Sequence, residues 1–418
     1  MFDTVILADD LSGAADCAVT CVHWGLNTLV TLGAPAAGAI ADVISIDADT
    51  RGLDAATAAI RMRSLTTAFA PDGATLLFKK IDSSLRGHLG TELAAVLQAR
   101  RAAGAGKTVA VMAPALPASG RTVRRGCGHL NGTPLHESEL WRDQNMAGEA
   151  YIPRMLQEAR LTSKCFDLAL VRGVRLEEAM REAASRFDVL VCDSVADEDL
   201  ELIALAARRL KNDVVWVGSA GLARYWPCAP PASGADAVSS LLLAPTARPV
   251  LFVVGSICQT ARKQVAMLAS GGAVRAVTVS PEMLVNGRDS AEWRSISVEL
   301  REALRQGQDV VLTPASSLVL EVEDRLKLSS SLAAMTADLR PEVGALVACG
   351  GETARMVLGC WQVSGLRLLG ELERGVVISK AMNTDIDLTV VTKAGDFGTP
   401  ETLAQCQRWL HDGKEVLR

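Results

Sequence analysis

Two adjacent aspartates, Asp9 and Asp10, close the short apolar run Val5-Ile-Leu-Ala8, and Ser12, Gly13 and an alanine-rich segment follow them. A carboxylate at the end of a buried strand is costly unless something pairs with it. It can bind a hydroxyl, pair with a cation, or cap the next helix, because Asp and Ser are favoured N-caps. The next apolar runs end in the same way. Val43–Ile46 leads into Asp47-Ala-Asp49-Thr-Arg51, and Leu76–Phe78 leads into Lys79-Lys80-Ile-Asp82-Ser83-Ser84-Leu-Arg86-Gly87. Val109–Ala113 leads into Pro114-Ala-Leu-Pro117-Ala-Ser-Gly120-Arg121-Thr122. Ligands of open α/β sheets sit beyond the carboxyl ends of the strands, so these residues are expected to converge on a crevice for a small polar anion. Arg and Lys would pair with a carboxylate there, while Asp and Ser would take hydroxyls. Taken singly, Asp10 or Ser12 reads equally well as a helix cap, and Arg51 as a solvated loop charge. The dense Lys79–Gly87 cluster argues for a site.

Strand ends in the second half carry glycine and hydroxyls instead of charges. They read Val254-Gly255-Ser256, Cys349-Gly350-Gly351-Glu352-Thr353 and Lys393-Ala-Gly395-Asp396-Phe-Gly398-Thr399-Pro400. A strand, a glycine turn and a helix N-terminus together make a phosphate cradle of free N–H groups at the positive end of the helix dipole. Neither GxxxxGK[ST] nor GxGxxG occurs at these turns. One such turn reads as an ordinary helix start, but three in one half favour nucleotide binding.

The elements that must position these residues follow from periodicity. Further apolar runs lie at Val189–Cys192, Val214–Val217, Val250–Val254, Val274–Val279, Val310–Thr313, Ala345–Cys349, Val376–Ile378 and Leu388–Thr392. Helical spacing falls between many of them, as in Thr91–Ala102, Glu198–Leu210, Thr260–Ala269 and Ser295–Gln306. That alternation predicts an α/β fold with two domains, each a mainly parallel sheet flanked by helices, and a ligand site in the interdomain cleft. The Pro-, Ala- and Gly-rich stretch from Trp226 marks a linker over 226–248. It separates an anion-binding domain, 1–225, from a nucleotide-binding domain, 249–418. Gly120 to Pro153 reads as a long irregular loop of the functional kind.

Composition narrows the class. With 418 residues, 49% of them hydrophobic and 22% charged, the chain suits a soluble two-domain protein. A formal charge of −5 offers no basic field for nucleic acid. No apolar run reaches the ~18–20 residues that span a bilayer, and the N-terminus lacks a signal-like segment, so no membrane partner and a cytoplasmic location are expected. The ten cysteines are scattered without a CxxC pair and read as buried thiols. A polar-anion domain joined to a phosphate-cradling domain suggests phosphoryl transfer as the domains close and exclude water.

The motifs resemble the four-carbon acid sugar kinase family over essentially the whole chain. They include L-A-D-D-L-S-G-A-A-D, D-A-D-T-R, K-K-I-D-S-S-L-R-G-H, P-A-L-P-A-S-G-R-T, V-C-D-S-V-A-D-E-D-L, G-S-A-G-L-A, V-V-G-S, G-G-E-T-A and K-A-G-D-F-G-T-P-E-T-L. The resemblance implies an ATP-dependent kinase that phosphorylates the terminal (4-) hydroxyl of threonate, erythronate or 3-oxo-tetronate, as a step in sugar-acid catabolism. The acid would be held by the N-terminal domain and ATP by the C-terminal one. Carried onto this sequence, Asp10, Arg51, Lys80, Asp82, Ser83, Ser84 and Arg86 would hold the acid, with Asp9 beside them. Ser256, Gly350, Gly351, Glu352, Thr353 and Gly395 would hold the nucleotide. One departure follows G-T-P-L, where the family runs to a Thr and an Asp-Pro and this chain reads H-E-S-E-L-W-R-D-Q-N-M-A-G-E-A-Y-I-P. Which acid is used stays open there.

In the expected mechanism Arg51, Arg86 and Lys80 fix the carboxylate, and Asp10 takes the hydroxyl proton, with Asp9 or Asp82 as the alternative base. Mg²⁺ should accompany ATP; its ligands are unassigned, with Glu352 and Asp396 as candidates. A nucleotide-dependent hydroxy-acid dehydrogenase is the rival enzyme, and it lacks GxGxxG after any early strand. A two-domain solute-binding or sensor protein is the non-enzymatic rival, and it lacks a secretion signal or DNA-reading module. The oligomeric state, monomer or homodimer, is left open.

Overall fold

The computed structural model describes residues 2–36, 38–104, 107–143, 146–211, 213–227, 245–280, 283, 287–315, 322–382 and 386–413. The expected linker, 226–248, falls mostly on 228–244, outside the described residues. The strands of the N-terminal half are β1 (Thr4–Ala8), β2 (Thr28–Leu32), β3 (Val43–Asp47), β4 (Leu76–Lys80), β5 (Thr108–Ala113), β6 (Arg121–Arg124), β7 (Cys127–Leu130), β8 (Thr133–Pro134), β9 (Ser163–Phe166), β10 (Val189–Cys192) and β11 (Asp213–Gly218). Those of the C-terminal half are β12 (Val250–Val254), β13 (Val274–Val279), β14 (Asp309–Pro314), β15 (Ala345–Cys349), β16 (Gly365–Glu373), β17 (Val376–Met382) and β18 (Thr389–Lys393). The chain divides into two compact units, residues 1–21 with 38–233 and residues 22–37 with 234–418.

The first unit is built on a parallel sheet of order β3-β1-β4-β11-β5-β10-β9. From β1 the chain goes to β3 on one side and later to β4 on the other, so the strand order reverses at β1. Such a switch point is where open α/β sheets bind ligands. Strands buried on both faces read as continuous apolar runs, and β1 and β5 are buried throughout. The helix Leu11–His23 packs closely because its inner residues are small, with Ala14, Ala15, Cys17, Ala18 and Cys21 all buried. Phe78 meets Trp226 edge-on, with ring centroids 4.9 Å apart, a favoured aromatic geometry.

The second unit has the sheet order β13-β14-β12-β15-β18-β17-β16-β2. It is parallel from β13 to β18 and antiparallel from β18 to β2. Its core includes Phe252, Leu268, Val347, Ile378, Leu403 and Trp409. The two-domain α/β expectation therefore holds, each unit having a mainly parallel sheet. Residues 22–37, assigned from sequence to the first domain, fold with the second unit because β2 pairs antiparallel with β16, Thr31 opposite Gly365.

One expectation is corrected. Residues 120–153 are not an irregular loop; they carry the small antiparallel sheet β6-β7-β8 and short helices at Glu139–Asp143 and Ile152–Glu158. Its turns use Arg125-Gly126 (φ 50° and 71°) and Asn131-Gly132 (φ 50° and 86°). Two left-handed residues in succession match the twist of a tight hairpin, and Asn-Gly is its strongest short-range signal. The described cysteines form no disulfide.

Candidate active site

In the first unit Ala8 is level with Asp47 on one side and with Lys80 on the other. The residues that follow β1, β3 and β4 therefore emerge side by side, on strands about 4.8 Å apart. Arg51 lies across both leading aspartates. Its Nε and Nη2 donate to Asp9 Oδ2 at 3.0 and 2.8 Å, and its Nη1 donates to Asp10 Oδ2 at 2.9 Å. The other oxygen of Asp10 accepts the Gly13 N–H at 3.0 Å, and the Asp10 carbonyl accepts Ala14 N–H. Asp10 is thus the N-cap of the helix Leu11–His23 as well as a partner of Arg51.

The two lysines that end β4 point to opposite faces, as the two-residue period of a strand requires. Lys79 is fully buried against Glu92 at 2.8 Å and donates to the Lys80 carbonyl. Lys80, only 5% exposed, reaches over the first turn of the helix Leu11–His23. A Cβ at Gly13 would lie 2.5 Å from both Lys80 Nζ and Asp10 Oδ1. Glycine leaves room over that turn for both the ammonium and the carboxylate. Lys80 forms no ion pair among the described residues. Arg86 chelates Asp82 through Nε and Nη2, on a loop turned by Leu85 (φ 60°) and Gly87 (φ 85°).

The electrostatics are balanced and tight. Burial works against ionisation of Asp9, but Arg51, Lys80 and Lys79 hold its carboxyl below the usual range. Burial likewise opposes ionisation of Asp82, and Arg86, Arg51 and Lys80 hold it far below that range. Burial disfavours the charged form of Arg51, yet Asp10, Asp9 and Asp82 fix it as a cation. Several buried polar atoms have no hydrogen-bond partner among the described residues, namely Asp9 Oδ1, Ser12 Oγ, Thr50 Oγ1 and Ser84 Oγ. Buried polar atoms are seldom left so, and they suit a ligand rich in hydroxyls. Ser83 is half-buried on the same loop.

The second unit repeats the construction with different chemistry. Val254, Cys349 and Lys393 are level on the adjacent strands β12, β15 and β18. Gly255-Ser256, Gly350–Thr353 and Gly395 therefore emerge together. Gly350 (φ 106°) starts the helix Gly351–Cys360 without a side-chain cap bond, and the first N–H groups of a helix have no partner within it. The space is closed to any side chain: a Cβ at Gly255 would overlap Thr353 Oγ1, and one at Gly395 would overlap Ser256 Oγ. This cradle of glycine turns, packed against the Thr353 and Ser256 hydroxyls at a helix N-terminus, fits a polyphosphate. Glu352 and Asp396 are exposed carboxylates on its rim, hard oxygen donors of the type Mg²⁺ takes.

Sequence reading missed the supports. Lys79 and Glu92 pair behind the acid cluster, and Lys393 Nζ donates to the carbonyls of Ala394, Gly395 and Phe397. Gln264 Nε2 donates to Phe397 and Thr399 carbonyls, and Cys258 Sγ donates to that of Gly395. A buried Lys inside an apolar run was the available signal. Other motif residues prove structural. Asp193 accepts the Arg125 and Gly126 N–H groups of the β6–β7 turn, Asp199 pairs with Arg172, and Ser219 Oγ donates to the Ala115 carbonyl.

A family model described as a sugar-binding N-terminal domain matches residues 4–226, and one described as a nucleotide-binding C-terminal domain matches residues 251–403. A D-threonate kinase of Cupriavidus necator is 36% identical over 411 residues, covering 96% of both chains. The chain belongs to the four-carbon acid sugar kinases. A D-threonate kinase of Bordetella bronchiseptica is 33% identical, covering 97% of each chain. A 3-oxo-tetronate kinase of Methylobacterium radiotolerans is 28% identical, covering 94% of this chain and 95% of its own. The fold of this kinase is shared by a solved Salmonella typhimurium protein, with a TM-score of 0.76, 22% identity and coverage of 98% and 99%. It is shared too by a Haemophilus influenzae protein of the family designated DUF1537, with a TM-score of 0.70, 21% identity and coverage of 97% and 100%. The chain is therefore a carbohydrate kinase. No helix of its described residues is long and apolar enough to cross a membrane.

Proposed function

We propose that this kinase transfers the γ-phosphoryl group of ATP to the 4-hydroxyl of D-threonate, giving the 4-phosphate. The observation that carries the reading is the ammonium of Lys80, nearly buried and without an ion-pair partner among the described residues, set beside Arg51 and Arg86. A cation so placed calls for an anionic substrate. D-threonate is favoured among four-carbon acids by relatives of that name at 36% and 33% identity.

Lys80 and the Nη1 group of Arg86, which Asp82 leaves unused, would bind the substrate carboxylate. Asp9 Oδ1, Ser12, Thr50 and Ser84 offer buried partners for hydroxyls. Asp10 is the candidate for taking the proton of the 4-hydroxyl, because its side chain is 19% exposed against 4% for Asp9. Asp9 and Asp82 are held below the usual carboxylate range by the cations around them. In the second unit Ser256, Gly350 to Thr353 and Gly395 would hold the phosphates. Mg²⁺ with the nucleotide supplies charge neutralisation on the phosphoryl oxygens, and Glu352 and Asp396 are the candidate protein ligands.

The test is a coupled assay of ATP consumption with D- and L-threonate, D- and L-erythronate and 3-oxo-tetronate, and ³¹P NMR of the product. The highest kcat/KM is expected for D-threonate, with phosphate on C4. ATP consumption that no acid stimulates would sink the reading.

A further inference from the structure

The loop after β18 is held from within by side-chain donors. Lys393, 1% exposed, donates to the carbonyls of Ala394 at 2.8 Å, Gly395 at 3.2 Å and Phe397 at 2.8 Å. An ammonium has three donors and no acceptor, and Lys393 directs them at these carbonyls with the Cys349 side chain beside it. It forms no ion pair among the described residues. Gln264, fully buried, adds bonds of 3.0 and 2.8 Å to the carbonyls of Phe397 and Thr399, and Cys258 Sγ lies 3.3 Å from that of Gly395.

A carbonyl in a trans peptide points opposite to the N–H of the next residue, and no peptide of the described chain is cis. Drawing the Ala394 and Phe397 carbonyls inward therefore turns the N–H groups of Gly395 and Gly398 away from Lys393. Neither of those N–H groups has a partner among the described residues. The two are separated by Asp396 and by Phe397, whose N–H donates to the Ala394 carbonyl, so each would act as a single outward donor to an anion. A neutral donor could close a loop as well, and a buried cation without a carboxylate is costly. Its placement makes sense where it also adds fixed positive charge to a site that takes polyphosphate.

We propose that Lys393 is a positioning residue of the nucleotide site: its buried ammonium sets the loop 394–398 so that the N–H groups of Gly395 and Gly398 are presented to phosphate oxygens. This rests on the reading that the second unit holds the nucleotide.

The experiment compares wild type, Lys393→Met and Gly395→Ala in steady-state kinetics with MgATP and D-threonate, alongside thermal unfolding of each. In folded Lys393→Met, KM for ATP should rise about 10- to 100-fold, the size of lost bonds to a charged group, while KM for D-threonate stays within about twofold. A purely structural lysine would lower the unfolding temperature and the active fraction and leave KM for ATP unchanged, which would overturn the proposal. Gly395→Ala probes the nucleotide reading itself. If it raises KM for ATP and Lys393→Met does not, only the role of Lys393 falls. If neither variant moves KM for ATP, the nucleotide reading falls with it. Should Lys393→Met not fold, hydrogen exchange of wild type decides. MgATP should slow exchange of the 395 and 398 amides. Slowing at the start of the helix Gly351–Cys360 without slowing at 395 and 398 overturns the proposal and spares the nucleotide reading.

Discussion

Asp10 holds two structural partners, the Gly13 N–H and Arg51, while remaining the more open of the two leading aspartates. Asp10→Asn separates its functions, because Asn caps a helix as well as Asp does but cannot take a proton. The variant should keep the helix cap and lose about 1–3 kcal/mol of stability, because the part-buried Arg51 is left with Asp9. It should lose about 10²- to 10⁴-fold in kcat; near-normal turnover would move the base to another residue. The Asp82–Arg86 pair gives a pH prediction. The folded-state pKa of Asp82 is lowered by Arg86, Arg51 and Lys80 against its burial, so as pH falls the unfolded chain binds protons first. Its stabilisation is fully present above about pH 5 and is lost as pH falls below about 4. Asp82→Asn should cost about 1–3 kcal/mol at neutral pH, allowing for the partial exposure of Arg86, and should flatten the acid limb of stability. Urea midpoints of both proteins between pH 7 and pH 3 check this, and parallel acid limbs would remove the linkage.

At the scale of elements, each site is made by three neighbouring parallel strands whose ends are level, β3-β1-β4 in one unit and β12-β15-β18 in the other. Register brings together loops far apart in sequence, and what emerges sets the chemistry: charged side chains after the first three, glycine turns and hydroxyls after the second. The glycines are therefore part of the geometry. Gly255→Ala would push a methyl into Thr353 Oγ1, which is itself 3.2 Å from Ser329 Oγ and has little room to yield. Its expected effect is a rise in KM for ATP of about tenfold or more with KM for the acid unchanged. Titration with ATP by calorimetry would check it, and wild-type affinity in the variant would show that this turn does not line the nucleotide site.

At the scale of the whole molecule, the two units have separate cores and separate candidate ligands, so a single two-state unfolding free energy is not expected to describe the chain. A ligand bound only by the folded form stabilises the unit that holds it, by about 2.7 kcal/mol at a hundredfold excess over Kd. D-threonate should therefore slow hydrogen exchange mainly around Asp9, Arg51 and Lys80–Arg86. MgATP should act mainly around Ser256, Gly350–Thr353 and Gly395. The reverse pattern would exchange the roles of the two units. The strand β2 belongs to this scale as well, since the second unit includes residues 22–37. Without β2, β16 would be an open edge, a liability that sheet proteins cover.

The sequence by itself determined the alternation of strands and helices, the polar residues that close the strands, and the family. These are local properties: a buried parallel strand is a continuous apolar run, and its end is marked where charge or glycine begins. It also contained the Asn131-Gly132 turn, which the irregular-loop reading of 120–153 passed over. Only the tertiary structure decided what those residues meet. Thr31 lies opposite Gly365 because sheet pairing joins segments that no periodicity relates. Lys79 and Lys80 are neighbours in sequence, and alternation along β4 sends one to Glu92 and the other over Gly13. Lys393 reads as the last residue of a strand until three inward carbonyls give its charge a place. Local pattern fixes where a chain can bury apolar surface, whereas a buried charge is assigned its partner only by the packing that surrounds it.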